Sequence, residues 1–179
     1  FIQALEPVWM VMAPVLVWLT VVTMTVGNLA ALSQTNVKRL LAYSTIGQVG
    51  YLLIGISVNT VVGIKAILVY LAAYLFMNLG AFACVVAVVT DSGSESVDAF
   101  RGLARRAPVL ALCCAVFLLS LAGLPPLFGF IGKFVLFGAA IQSQAVWLAV
   151  AAVVNSAVAL YYYVNIIRQM YLLSPQEAR

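Results

Sequence analysis

The sequence predicts an all-α membrane protein with about five transmembrane helices, one of them broken. Three observations carry that prediction. Of the 179 residues, 65% are hydrophobic and only 8% are charged, whereas soluble domains carry roughly 25% charged residues. Apolar runs near the ~20 residues that a bilayer core demands recur along the chain. One of them, VLALCCAVFLLSLAGLPPLFGFIGKF, holds two adjacent prolines and a single lysine. A soluble globular domain is excluded.

The first span is read over 8–32. The second, over 40–57, follows the polar link SQTNVKR, where Thr35 or Asn36 can serve as N-cap. The third covers 64–89. After it comes TDSGSESVDAFRGLARRA, the one long polar loop. The fourth runs over 109–140 and is interrupted at Gly123, Pro125 and Pro126. The fifth covers 145–170, its last turn beyond the lipid. No internal repeat is found, and the whole chain reads as one transmembrane region. It opens on Phe1, with no basic segment, short apolar core and cleavage site before the first span. It is therefore read as part of a longer product, without a signal peptide.

The net charge of +4 is read as a topology signal rather than as a nucleic-acid footprint. Lys38, Arg39, Arg101, Arg105, Arg106, Arg168 and Arg179 fall on one side of a five-span arrangement. Only Lys65 falls on the other. The basic side is expected to face the cytoplasm. Trp9 and Trp147 then mark the outer interface, and Tyr161, Tyr162 and Tyr163 an inner aromatic belt. Glu6 reads as interfacial. The chain has no histidine, so the usual metal ligand and triad base are missing. Cys84, Cys113 and Cys114 lie in apolar runs without C-x-x-C spacing and read as packing residues.

Two features point to chemistry. The break at Gly123, Pro125 and Pro126 frees backbone carbonyls, which in lipid must find partners in protein or trapped water. Broken helices of this sort line substrate paths in transporters. A simple proline kink, or a loop between two short helices, gives the same pattern. Lys133 follows the break. A cation at membrane depth costs at least ~2.5 kcal/mol, and a lysine in such a place can act as a proton relay. The alternative is snorkelling to the interface. An unbroken helix from Val109 would carry Lys133 close to the far surface; the break slows that advance. Asn28, Asn78 and Asn155, with Thr25 and Ser156, can bind water or one another across helices, or simply glue them together. Lys38 and Arg39 are explained by positive-inside anchoring, and Lys65 by anchoring of the opposite end. No carboxylate lies within a span, so Lys133 has no evident counter-ion in this stretch.

Several segments together resemble a known family. GNLAALSQTNVKRLLAYSTIGQVGYLLIGI (27–56) and LAGLPPLFGFIGKF (121–134) resemble the antiporter-like membrane subunits of NADH-quinone oxidoreductase, the respiratory complex I or NDH-1 family. YLFMNLGAFACVV (74–86) and YYYVNIIRQMY (161–171) resemble subunit N (subunit 2) among them, the cyanobacterial and plastid form especially. The resemblance implies helices nine to thirteen of an antiporter-like fold of about fourteen. It implies that Lys133 is the lysine of an outward proton half-channel, with Asn78, Asn155, Ser156 and Lys38 as candidates for a water path. Sister subunits carry a lysine or histidine where this chain has Met77-Asn78, so titration there is not expected. The family's membrane glutamate and its two other lysines fall outside this stretch.

The implied function is a proton-translocating membrane subunit that couples quinone reduction to pumping, in a bacterial inner membrane or a thylakoid. Flavin, iron–sulfur clusters and quinone would sit in partner subunits, with no cofactor on this chain. Its partners would be neighbouring antiporter-like subunits and lipid. Two alternatives remain open. One is a subunit of a multi-subunit cation/proton antiporter, against which Asn78 argues. The other is a membrane scaffold in which Lys133 snorkels.

Overall fold

The computed structural model describes residues 6–174. Seven α-helices are present among them: α1 Glu6–Leu32, α2 Val37–Ser57, α3 Val61–Ser92, α4 Leu103–Arg106, α5 Pro108–Ala122, α6 Phe128–Gln142 and α7 Val146–Leu172. A short 3₁₀ turn, Val97–Phe100, precedes α4.

The long helices are capped by their flanking residues, and this moves their ends away from the hydropathy boundaries. Asn36 caps α2 by accepting from the Arg39 N–H at 3.0 Å, so the helix starts at Val37 rather than at residue 40. Thr60 does the same for α3 through Gly63 N–H at 3.0 Å. Gly93, in the left-handed conformation at φ +68°, stops α3 only after the polar residues Thr90 to Ser92.

Four helices are long and apolar enough to cross a membrane. α5 and α6 have 15 residues each, about 22 Å of rise, against a hydrocarbon core about 30 Å thick. Neither crosses alone, and together they make the broken fourth span. Apolar side chains cover the outside: Phe76 and Val109 are each 74% exposed, as lipid or a neighbouring subunit requires.

α1 and α2 approach most closely where small residues face each other. A Cβ on Gly27 would run into the α2 backbone at Gly47, and one on Gly50 into the α1 backbone at Met24. Without water to drive association, such backbone approach is how membrane helices gain packing energy.

One end of the bundle is tied by backbone pairing. Val37 N–H donates to Glu95 O at 2.8 Å, and Val97 N–H to Thr35 O at 2.9 Å. Gly102 N–H donates to Gln169 O at 3.1 Å. The α1–α2 link, the polar loop and the end of α7 therefore share one end, the end that carries the basic residues. Lys65 is exposed on the third helix at the opposite end.

The tyrosine belt needs correction. Tyr161 is 69% exposed, but Tyr162 and Tyr163 are buried in the core. Successive residues on a helix point about 100° apart, so three in a row cannot all face the interface. Trp147 is half exposed and packs on Trp18, ring centroids 6.2 Å apart. The side chains of Glu6 and Trp9, and all of Arg179, lie outside the described residues.

Single cysteines at Ser94 and Ser143, in a background lacking Cys84, Cys113 and Cys114, test this topology. An impermeant maleimide should label the two positions from opposite faces of sealed vesicles. Labelling of both from one face would overturn the five-span arrangement.

Candidate functional site

In an unbroken helix the carbonyls of residues 121 and 122 would accept from the N–H groups of residues 125 and 126. Both of those residues are proline and have no N–H. The break therefore orphans two particular carbonyls, at the C-terminal end of α5. Lys133 fills the deficit. Its Nζ donates to Leu121 O at 3.1 Å and to Ala122 O at 3.0 Å. The third N–H goes to Ser156 Oγ on α7, at 2.9 Å. All three ammonium donors are used, and the side chain is only 3% exposed. It does not snorkel.

α6 brings the lysine back beside the break because it lies close against α5 and α3. Gly129 N–H donates to Ser120 Oγ at 3.1 Å, and a Cβ on Gly129 would overlap the Ser120 carbonyl. Gly123 sits at φ +88°, a region that favours glycine, and its open face receives the Lys133 stem.

The charge is held by dipoles. The acids of the described core and loop, Asp91, Glu95 and Asp98, sit at the polar end and pair with Arg106, Lys38 and Arg101. What faces Lys133 is the negative end of α5 and the ring of Tyr51, whose centroid is 4.6 Å from Nζ.

A polar network surrounds this centre. Gln48 of α2 donates to Leu121 O at 3.2 Å and to Tyr163 OH at 3.5 Å. Its Oε1 accepts from Tyr70 OH. Tyr163 OH in turn bonds Ser44 Oγ at 2.5 Å. On the other flank, Asn28 Nδ2 donates to Tyr51 OH at 3.4 Å and to Asn155 Oδ1 at 3.3 Å. Tyr162 OH donates to Asn28 Oδ1 at 3.0 Å, and Asn155 donates to Thr25 Oγ1 at 3.2 Å. Among the described residues, no buried side-chain nitrogen or oxygen is left without a partner.

Of the residues singled out in the sequence, Lys133, Gly123, Pro125, Pro126, Ser156 and Asn155 come together. Asn78 does not. It is half-buried on a surface groove with Leu71 and Tyr74, while its neighbour Met77 turns inward and takes a contact from Ser120 Oγ at 3.5 Å. Lys38 also stands apart, in an exposed ion pair with Glu95 at 2.7 Å. Lys38 and Asn36 hold the Glu95 carboxyl below the usual carboxylate range. Gln48, Ser44, Tyr51 and Tyr70 were not singled out, and Tyr163 was read only as a belt residue. Ser44, Gln48 and Tyr51 stand four and three residues apart in the middle of a span, and that spacing puts them on one face.

The profile described as "NADH:quinone oxidoreductase/Mrp antiporter, TM" matches residues 1–159. The chain belongs to this family. Among its relatives is the NADH-quinone oxidoreductase subunit N 2 of Sorangium cellulosum, 54% identical over 158 residues, covering 86% of this chain and 31% of that protein. Respiratory complex I from Thermus thermophilus with bound aureothin contains a chain of the same fold. It has a TM-score of 0.78 and 38% identity, over 92% of this chain and 37% of that one. The Mrp complex from Dietzia sp. contains another, with a TM-score of 0.86 and 27% identity, over 93% and 31% of the two chains. The chain thus spans about a third of the length of the proteins it matches. It is a multi-pass membrane segment of the antiporter-like fold.

Two glycine substitutions separate the demands of the site from those of the helix. Gly123→Ala forces a left-handed alanine, about 1–2 kcal/mol, and sets a Cβ 2.8 Å from Lys133 Cδ. It should lower the Tm and disturb the lysine. Gly138→Ala meets nothing within 4 Å and should be neutral or stabilising by up to ~1 kcal/mol. Thermal unfolding of the assembled protein in detergent is the measurement; equal effects would contradict the geometry.

Proposed function

We propose that this chain is the outward proton-relay portion of a redox-driven proton translocase, a membrane subunit of the NADH–quinone oxidoreductase type that couples quinone reduction to pumping. One observation supports it above the rest. Lys133 is buried against two proline-freed carbonyls and a serine hydroxyl, and among the described residues its hydrogen-bond partners include no carboxylate. A lysine needed only for anchoring costs less at the interface. An amine kept at depth, in contact with a hydroxyl, is suited to being protonated and deprotonated in turn.

In this reading Lys133 takes a proton from the polar interior and holds it as an ammonium against the α5 terminus. It then gives the proton up outward by way of Ser156. Asn155 and Asn28 keep α7 and α1 in register beside it. Asn78 and Lys38 take no direct part. Electron transfer belongs to partner subunits that carry flavin, iron–sulfur clusters and quinone. The direct partners are neighbouring antiporter-like membrane subunits and lipid, in a bacterial inner membrane or a thylakoid. A second reading, a subunit of a cation/proton antiporter, draws on the likeness to the Mrp complex. The 54% identity to a subunit N, against 27% to the Mrp chain, favours the first.

The test is the number of protons moved per NADH oxidised in vesicles with confirmed assembly. Lys133→Ala should assemble and lose most of the pumping. Lys133→Arg keeps a charge that stays protonated in proteins, so it should impair pumping nearly as much. An unchanged ratio in Lys133→Ala would sink the relay. Sodium-dependent proton movement without redox turnover would instead support the antiporter.

A further inference from the structure

We propose that Gln48 is a positioning residue that seals Lys133 off from the hydroxyl pair Tyr163–Ser44 lying toward the basic end of the bundle. The proposal rests on the relay reading of Lys133.

Position comes first. Ser44 lies one turn closer than Gln48 to the basic end of α2, and Tyr163 lies seven residues, about 10 Å, closer than Ser156 to the basic end of α7. The Tyr163–Ser44 pair is therefore a hydroxyl step below Lys133 on that side. The bonds that link it to Lys133 run through the Leu121 carbonyl and the Gln48 carboxamide, both buried.

The chemistry of those two groups decides what can pass. A hydroxyl accepts one proton while giving up another, and so relays. A carboxamide N–H donates a hydrogen bond but gives up its proton only to strong base, and a carbonyl oxygen has no proton to give. A chain running Lys133, Leu121 O, Gln48, Tyr163 is therefore continuous in hydrogen bonds and broken for protons.

The amide cannot easily turn out of the way. Tyr70 OH donates to Gln48 Oε1, which fixes the Nε2 side toward Leu121 O and Tyr163 OH. Tyr163 OH accepts from that amide and makes its other bond with Ser44 Oγ, whichever of the two donates. The parallel branch is interrupted in the same way. Asn28 stands between Tyr162 OH and Tyr51 OH, accepting from one and donating to the other. Gln48 also shares the Leu121 carbonyl with Lys133, so the seal and the anchor of the lysine are one structure.

The experiment is passive proton leak in the assembled enzyme, reconstituted in liposomes with trapped pyranine and no redox substrate. Gln48→Ser replaces the amide with a hydroxyl and room for water; it should raise the leak severalfold. Gln48→Leu fills the space with an apolar group; it should stay tight. Adding Lys133→Ala to Gln48→Ser should abolish the leak. Gln48→Thr repeats the test should the serine variant fail to assemble. A tight Gln48→Ser, a Gln48→Leu that leaks as much, or a leak that survives Lys133→Ala would each overturn the proposal. A tight Gln48→Ser beside a Lys133→Ala enzyme that cannot pump would overturn this proposal alone and leave the relay standing.

Discussion

Two missing N–H groups organise this molecule. Pro125 and Pro126 leave the carbonyls of Leu121 and Ala122 without helical partners, at a depth where no bulk water can replace them. A buried polar group left unpaired costs roughly 1–3 kcal/mol. A buried ammonium without partners also costs several. Each deficit answers the other: the lysine supplies donors that the prolines removed, and the carbonyls supply the lysine with a site. Proline pair and lysine are one unit, each offsetting a cost that the other would carry at this depth alone. The negative end of the α5 dipole adds to the same balance.

The unit works only because α6 can come close. Gly129 lies against the Ser120 carbonyl and Gly132 against Tyr70, at separations no side chain would allow. Lys133 follows Gly132 directly, so the same close contact that packs α6 on α3 aims the lysine at the α5 terminus. The Gly27–Gly47 crossing performs a similar service at α1, where Asn28 is brought against Gly47 and within reach of Tyr51. Small residues thus set the helix spacing, and the spacing brings polar side chains from five helices, α1, α2, α3, α6 and α7, into hydrogen-bonding range.

The spans were legible because a bilayer imposes length and hydropathy on every crossing helix. The break was legible because proline inside a helix always removes a donor and disturbs the preceding turn. Helix ends were less so: α2 and α3 run past their apolar stretches, since caps at Asn36, Thr60 and Gly93 decide the ends. The polar network was the least legible part. Ser44 and Gln48 are isolated polar letters in an apolar run, and hydropathy averages them away. Tyr162 and Tyr163 looked like belt residues because composition carries no information on which way a side chain faces. Asn78 stood out by type, yet Met77 faces the core. Facing direction depends on how helices pack, and one sequence states that only where spacing repeats, as at Ser44, Gln48 and Tyr51.

The hydrogen-bond count around Lys133 also shows which partner responds when its charge changes. As an ammonium it donates three bonds. As a neutral amine it donates two and accepts one. Leu121 O and Ala122 O can only accept, so they can hold the two remaining N–H groups and nothing more. Ser156 is the partner that can reverse: its hydroxyl, which donates to Ala122 O at 3.1 Å, can turn to donate to Nζ. Ala122 O keeps the lysine bond, and no buried group is left unpaired. In the proposed relay the carbonyls therefore keep the amine in place in both states. The serine registers the proton, and any outward step must begin with the turning of that hydroxyl.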